Sequence, residues 1–198
     1  AASDVYKRQQ HYSLDERPFL EKVRGFCQLV DDRYSPYLTD FLNPREIQIV
    51  EELAHYYNLK FFVSSTLESE EYGRVILAPE YYELDDDDFE IKRLEISYAR
   101  QFNKLTHPKV LGALINQLGL DRQVFGDIIL DEEGRVQFSI ASHLASYAIM
   151  TITKIGNVSV TLKEVSKDDW ISNQENYSQS FVLLSSMRLD NVLATVLN

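Results

Sequence analysis

Between Arg93 and Leu162 the hydrophobic spacing switches repeatedly between period two and period three to four, and the order of those switches admits few folds. Arg93 to Tyr98 alternates, with Leu94, Ile96 and Tyr98 opposite Arg93, Glu95 and Ser97, which is the pattern of a half-buried strand. A helix start follows at Thr106-His107-Pro108-Lys109, where proline sits in the first turn and its missing N–H costs nothing. Val110, Leu111, Leu114 and Leu118 form one face of that helix, and Gly119 stops it. Asp127 to Leu130 and Arg135 to Ile140 read as strands around the tight reversal Asp131-Glu132-Glu133-Gly134. Ser142 then caps a second helix, with Leu144, Tyr147, Ala148 and Thr151 spaced for a core face, ending near Gly156. Val158 to Leu162 closes as a strand. The order β-α-β-β-α-β is the ferredoxin-like plan, shared by RNA-binding domains, enzymes and metal carriers, so the plan alone fixes no function.

The residues ahead of this block predict a smaller α+β domain over 11–84, of α-α-β-β order. A first helix starts after Asp15, with Pro18 in its opening turn, and runs to about Asp32 on the stripe Phe19, Val23, Phe26 and Val30. Cys27 lies beside that stripe and reads as a packed thiol, because nothing nearby lowers its pKa. Tyr34 to Pro44 is a connector dense in turn residues. Asn43 caps and Pro44 opens a second helix with Ile47, Val50, Leu53 and Ala54 inward. Leu59 to Val63 and Arg74 to Ala78 are strands joined by an acidic loop from Glu68 to Glu71. Residues 1–10 carry no periodicity that continues and read as a disordered or non-native tail. Asp85 to Asp88 lacks the alternating ligands and glycine of a calcium loop, and reads as a solvated linker into the β-α-β-β-α-β domain of 85–165. Residues 166–180 are a second polar linker, and 181–198 open a further element that the sequence leaves incomplete.

Charge is where composition informs. The chain carries a formal net charge of −11, but unevenly. Residues 1–99 hold 11 lysines and arginines against 21 acids, while residues 100–165 hold 7 against 6. The acid lies ahead of the ferredoxin-like block, which is near neutral and free to carry a local basic face. One cysteine excludes an internal disulfide framework and fits a reducing compartment. No stretch approaches the ~20 apolar residues of a membrane span, so the expectation is a cytoplasmic protein without a membrane partner.

No glycine-rich phosphate loop, G-x-S-x-G elbow or HExxH occurs, and the histidines are isolated in sequence; no catalytic residue, metal site or cofactor is assigned. Base stacking on a sheet face in the manner of the commonest RNA-binding module needs aromatics on its first and third strands; only Tyr98 and Phe138 are available. If the block meets RNA, it does so more by phosphate and shape contacts than by stacked bases. Lys104, His107, Lys109 and Arg122 flank the first helix of the block and Lys154 follows the second; on spacing alone they are either a basic edge for phosphates or ordinary surface charges.

Several short stretches, taken in order, carry a resemblance: Glu16 to Phe19, Asp32 to Pro36, Leu38 to Leu42, Pro44 to Glu46, Ala78 to Tyr82, Leu105 to His107, Val110 to Leu114, Phe125 to Ile128 and Thr153 to Gly156. Together they resemble the YlmH family of bacterial S4-domain RNA-binding proteins, from about His11 to the end. The resemblance implies an N-terminal domain, a central RRM-like RNA-binding domain and a C-terminal S4 domain. Met187 to Asp190 with Leu193 and Ala194 is similar to the opening of that S4 domain, truncated here before its second, basic helix. Arg188 alone carries over from the S4 motif. The implied function is non-catalytic binding of ribosomal RNA and tRNA on the large subunit, in quality control of stalled chains, with a link to cell-division proteins. The alternative is a protein-interaction module that uses the acidic N-terminal domain.

Overall fold

The computed structural model describes residues 12–65 and 70–172. The expected tail, His11, residues 66–69 and the expected S4 opening with Arg188 lie outside the described residues. Two compact units form: one from the described part of Ala1–Ser64 with Tyr72–Phe89, the other from Ser65–Glu71 with Glu90 onward. The fold class is α+β, as the sequence predicts.

In the first unit, α1 (Arg17–Arg33) buries Leu20, Val23, Cys27 and Val30. Cys27 is thus on the buried stripe itself, and burial pushes its thiol up to about 11, so it packs as an apolar side chain. The connector contains a strand that the sequence reading omits, β1 (Tyr37–Leu42). Thr39 and Asp40 interrupt its apolar run. The interruption coincides with a break in the ladder between Leu38 and Phe41, where the Thr39 hydroxyl accepts a hydrogen bond from the Val75 N–H at 2.9 Å. The unit is therefore α-β-α-β-β rather than α-α-β-β. α2 (Pro44–Tyr56) starts as expected: the Asn43 side chain accepts from the Glu46 N–H at 2.9 Å, and Glu46 accepts from the Asn43 N–H at 3.2 Å. β2 (Lys60–Val63) and β3 (Gly73–Ala78) complete an antiparallel sheet of order β1-β3-β2, with β3 buried throughout. The acid run is exposed, as expected of a solvated linker, and lies just before the boundary between the units at Phe89 and Glu90, but it is locally ordered. Asp86–Phe89 forms a 3-10 turn in which Asp88 accepts from the Asp85 N–H and the Tyr82 hydroxyl, while Phe89 is buried. Short acid side chains bonding their own backbone make such turns possible without a metal.

The second unit holds β4 (Ile91–Ser97), α3 (His107–Leu118), β5 (Phe125–Leu130), β6 (Val136–Ala141), α4 (Ala145–Thr151), a hairpin of β7 (Lys154–Ile155) and β8 (Val158–Ser159), and β9 (Thr161–Glu164). The four long strands pair antiparallel in the order β5-β6-β4-β9, which is the ferredoxin-like arrangement. One face of the sheet, through Leu94, Ile96, Phe125, Ile128, Val136, Phe138, Ile140 and Leu162, packs against Val110, Leu114 and Leu118 of α3 and Ala145 and Ala148 of α4. Gly119 takes a φ of 60° to end α3, and Gly134 a φ of 78° in the reversal. The second helix is shorter than predicted. It ends at Thr151, and the β7–β8 hairpin fills the space before β9, which starts at Thr161 rather than Val158. Tyr147, expected inside, is 42% exposed and donates its hydroxyl hydrogen to the Leu118 carbonyl at 3.3 Å, closing the end of α3.

Candidate nucleic-acid interface

The sheet has two faces, and the one away from the helices is where a ferredoxin-like RNA-binding domain exposes stacking aromatics. Here it is closed by the chain itself. Phe138 points into the core at 0% exposure, and Tyr98 packs at the core edge with its hydroxyl donating to the Gly134 carbonyl at 2.7 Å. The outward positions mix polar Arg93, Glu95, Gln137 and Ser139 with apolar Ile129, which pairs with Gln137 and is 1% exposed. Arg93, 2% exposed, lies under the Trp170 ring with its guanidinium 4.1 Å from the ring centroid. It pairs with Glu70, donates to the Ile171 carbonyl at 3.1 Å and reaches the Ser139 hydroxyl at 3.3 Å. Burial lowers its pKa and Glu70 opposes that shift. Gln137, fully buried, donates to the Asp169 carbonyl at 2.9 Å and accepts from the Ile171 N–H at 3.0 Å. The first residues of the predicted second linker therefore lie across the sheet.

Beside this strap, Glu95 gathers Arg135, which immediately precedes β6, at 2.7 Å and Lys163, its partner on β9, at 3.6 Å. Burial raises the pKa of Glu95, but the hydrogen bonds from Arg135 and Gln137 outweigh it and hold the carboxyl below its ordinary value. The charges of the outward face are thus spent within the face. Arg93, Glu95, Gln137 and Trp170 form a network that period-two reading does not reveal, because it assigns alternate residues to solvent. The nearest sequence signal is Trp170, the only tryptophan, in an otherwise polar stretch.

The cations predicted from sequence fall into two groups. Lys104, His107 and Lys109 are all exposed at the start of α3, and no carboxylate lies between Glu95 and Asp121. Thr106 gives no side-chain cap, and the first turn contains no acid. Its amide groups and the positive end of the helix dipole thus face the same side as the lysines. Among the described residues neither lysine has a carboxylate within ion-pair distance. Lys154 is exposed at the opposite end of α3, where its carbonyl accepts from the Gln117 side chain at 2.5 Å. Arg122 follows the same end; its guanidinium lies 4.8 Å from the Phe125 ring centroid and donates to the Phe125 carbonyl. The 12-residue helix is about 18 Å long, beyond the ~8–10 Å screening length at ordinary salt, so the two groups do not act as one patch. The start of α3 is the stronger of them. Arg188 lies outside the described residues, and among those described no three metal-ligating side chains cluster.

The architecture is that of an α+β protein with a ferredoxin-like second unit whose helix side, not its sheet, presents unpaired cations. A family model described as "Putative RNA-binding domain in YlmH" matches residues 85–169. The ribosome-associated protein quality control protein P2 of Bacillus subtilis is 32% identical over 194 residues, covering 98% of this chain and 74% of that protein. The solved structure of cell division protein ylmH from Streptococcus pneumoniae matches with a TM-score of 0.72 at 40% identity, over 82% of this chain and 98% of its own. The chain belongs to the YlmH family.

Proposed function

We propose that this chain is a non-catalytic RNA-binding protein that associates with the large ribosomal subunit through ribosomal RNA or tRNA. The observation that carries the reading is the start of α3, where Lys104, His107 and Lys109 stand exposed beside open helix amides, in a stretch without an acid from Ile96 to Leu120 and in a chain of net charge −11. Phosphate oxygens fit that surface, because both backbone dipoles and side-chain cations favour them. The family model's description and the name of the Bacillus relative support RNA and ribosome association. The name of the Streptococcus neighbour supports a link to cell division. The absence of a motif for nucleophilic or acid–base chemistry favours a binding role, and the lack of a long apolar helix among the described residues accords with a cytoplasmic site of action.

The test is binding to purified large subunits and to ribosomal RNA at two salt concentrations. Binding that weakens steeply with salt supports the reading, and absent or salt-insensitive binding refutes it. A second reading concerns the acidic first unit, where the exposed rings of Tyr34 and Tyr81 meet at 5.0 Å and offer an aromatic spot to a basic protein partner. Co-purification of a basic protein from nuclease-treated lysate, lost in Tyr34→Ser/Tyr81→Ser, supports it.

A further inference from the structure

We propose that Phe102 is a base-stacking residue, on whose ring an unpaired nucleotide lies while the neighbouring phosphates meet Lys104 and Lys109. The inference rests on the RNA-binding reading and adds to it the form of RNA recognised: single-stranded or bulged, not a continuous duplex.

Phe102 is 84% exposed, more than any other large apolar side chain among the described residues. Its backbone is nevertheless held. The Phe102 N–H donates to the Ala99 carbonyl at 3.2 Å, and the Asn103 side chain donates to the same carbonyl at 3.1 Å. Arg100 donates to the Glu133 carbonyl at 3.2 Å, and Leu105, 2% exposed, anchors the far side of the loop in the core. A tied loop thus presents a bare aromatic ring to solvent two residues before Lys104 and five before the first turn of α3. Nothing in the chain between Glu95 and Asp121 is acidic, so the ring's neighbours in sequence include Arg100 and Lys104 and no carboxylate; the acidic reversal Asp131–Glu133 meets the loop where Arg100 donates to the Glu133 carbonyl.

Flat apolar surface beside unpaired positive charge is complementary to a base with its phosphates. Every base has a π-face, so such a platform is tolerant of sequence. Away from its ends a duplex has no face to give it: its internal bases are stacked on both sides, and the A-form major groove is too narrow for side chains. The ring also lies in the loop before α3 and is 84% exposed, so the Trp170 strap does not cover it. Stacking and the closed sheet are therefore compatible.

The experiment uses the full chain with a single-stranded oligoribonucleotide of mixed sequence carrying one 2-aminopurine, and the matching blunt duplex. Affinity and 2-aminopurine fluorescence are measured for the unaltered protein and for Phe102→Ala, Phe102→Leu and Phe102→Trp. The side chain is exposed, and equal melting temperatures confirm that each variant folds. Single-strand binding is expected to fall roughly tenfold in both Phe102→Ala and Phe102→Leu, and to persist in Phe102→Trp with the fluorescence change intact. The slope of affinity against salt is expected to stay the same in all of them, since no cation is lost. Wild-type affinity in Phe102→Ala or Phe102→Leu, or a preference for the duplex, overturns the stacking inference and leaves the RNA-binding reading standing. An unaltered protein that binds neither probe nor ribosomal RNA overturns both.

Discussion

Arg93 shows how a side chain placed by alternation on the solvent side of a strand is instead enclosed. Its guanidinium is covered by Trp170, paired with Glu70 and bonded to Ile171 and Ser139. Arg93→Ala removes the cation and leaves the half-buried Glu70 carboxylate without its partner. A loss of about 3 kcal/mol is expected, read as a lower denaturation midpoint. Trp170→Ala is expected to destabilise less and to raise amide exchange in β4 and β6, since it opens the strap without stranding a charge. Glu95 supplies a pH test. Its carboxyl is held below the ordinary value of 4.5, so its stabilising contribution is whole above about pH 4.5 and is lost as pH falls through the lower, folded value. Glu95→Gln is thus expected to cost about 1–2 kcal/mol at pH 7, with the gap to the unaltered protein closing in acid melts. A gap that is constant from pH 7 to pH 3 contradicts this assignment.

At the scale of elements, punctuation residues were the legible part. Pro108 and Gly119 bound α3 in sequence and in structure, and Asn43 with Pro44 opens α2 in both. The Asp131–Gly134 reversal is equally local, since only a residue free to take positive φ suits its last position. A Cβ on Gly134 adds contact with the Tyr98 hydroxyl at 3.3 Å to a φ of 78°. Gly134→Ala is expected to cost about 1 kcal/mol, measured by thermal melting. Elements held by tertiary partners were not legible. β1 escapes a period-two reading because Thr39 is buried for its hydroxyl, which replaces a ladder bond. The β7–β8 hairpin has strands of two residues, shorter than any window over which alternation is visible. The candidate cations were legible one by one, but their division between the two ends of α3 depends on the packing that brings Lys154 beside Gln117. The closed sheet face was not legible, because the strap and Arg93 are 77 residues apart in sequence from Arg93 to Trp170.

Across the molecule, charge and fold are arranged in opposition. The acidic residues are concentrated in the first 99 positions, with 21 acids against 11 bases, while exposed Lys104, ahead of α3, and Lys109, in its first turn, follow. On the proposed reading, long-range repulsion from a polyanion sets a low background affinity, and short-range phosphate contact has to overcome it. On this account the start of α3 carries the charge-dependent part of RNA binding by the described units, and the sheet carries stability. The most direct test is the salt dependence of binding to ribosomal RNA for the unaltered chain and for Lys104→Gln/Lys109→Gln, with log affinity plotted against log salt. The account expects the double variant to bind more weakly and the magnitude of the slope to fall by about 1.5–2, close to one unit per lost phosphate contact. Unchanged affinity with an unchanged slope would contradict it.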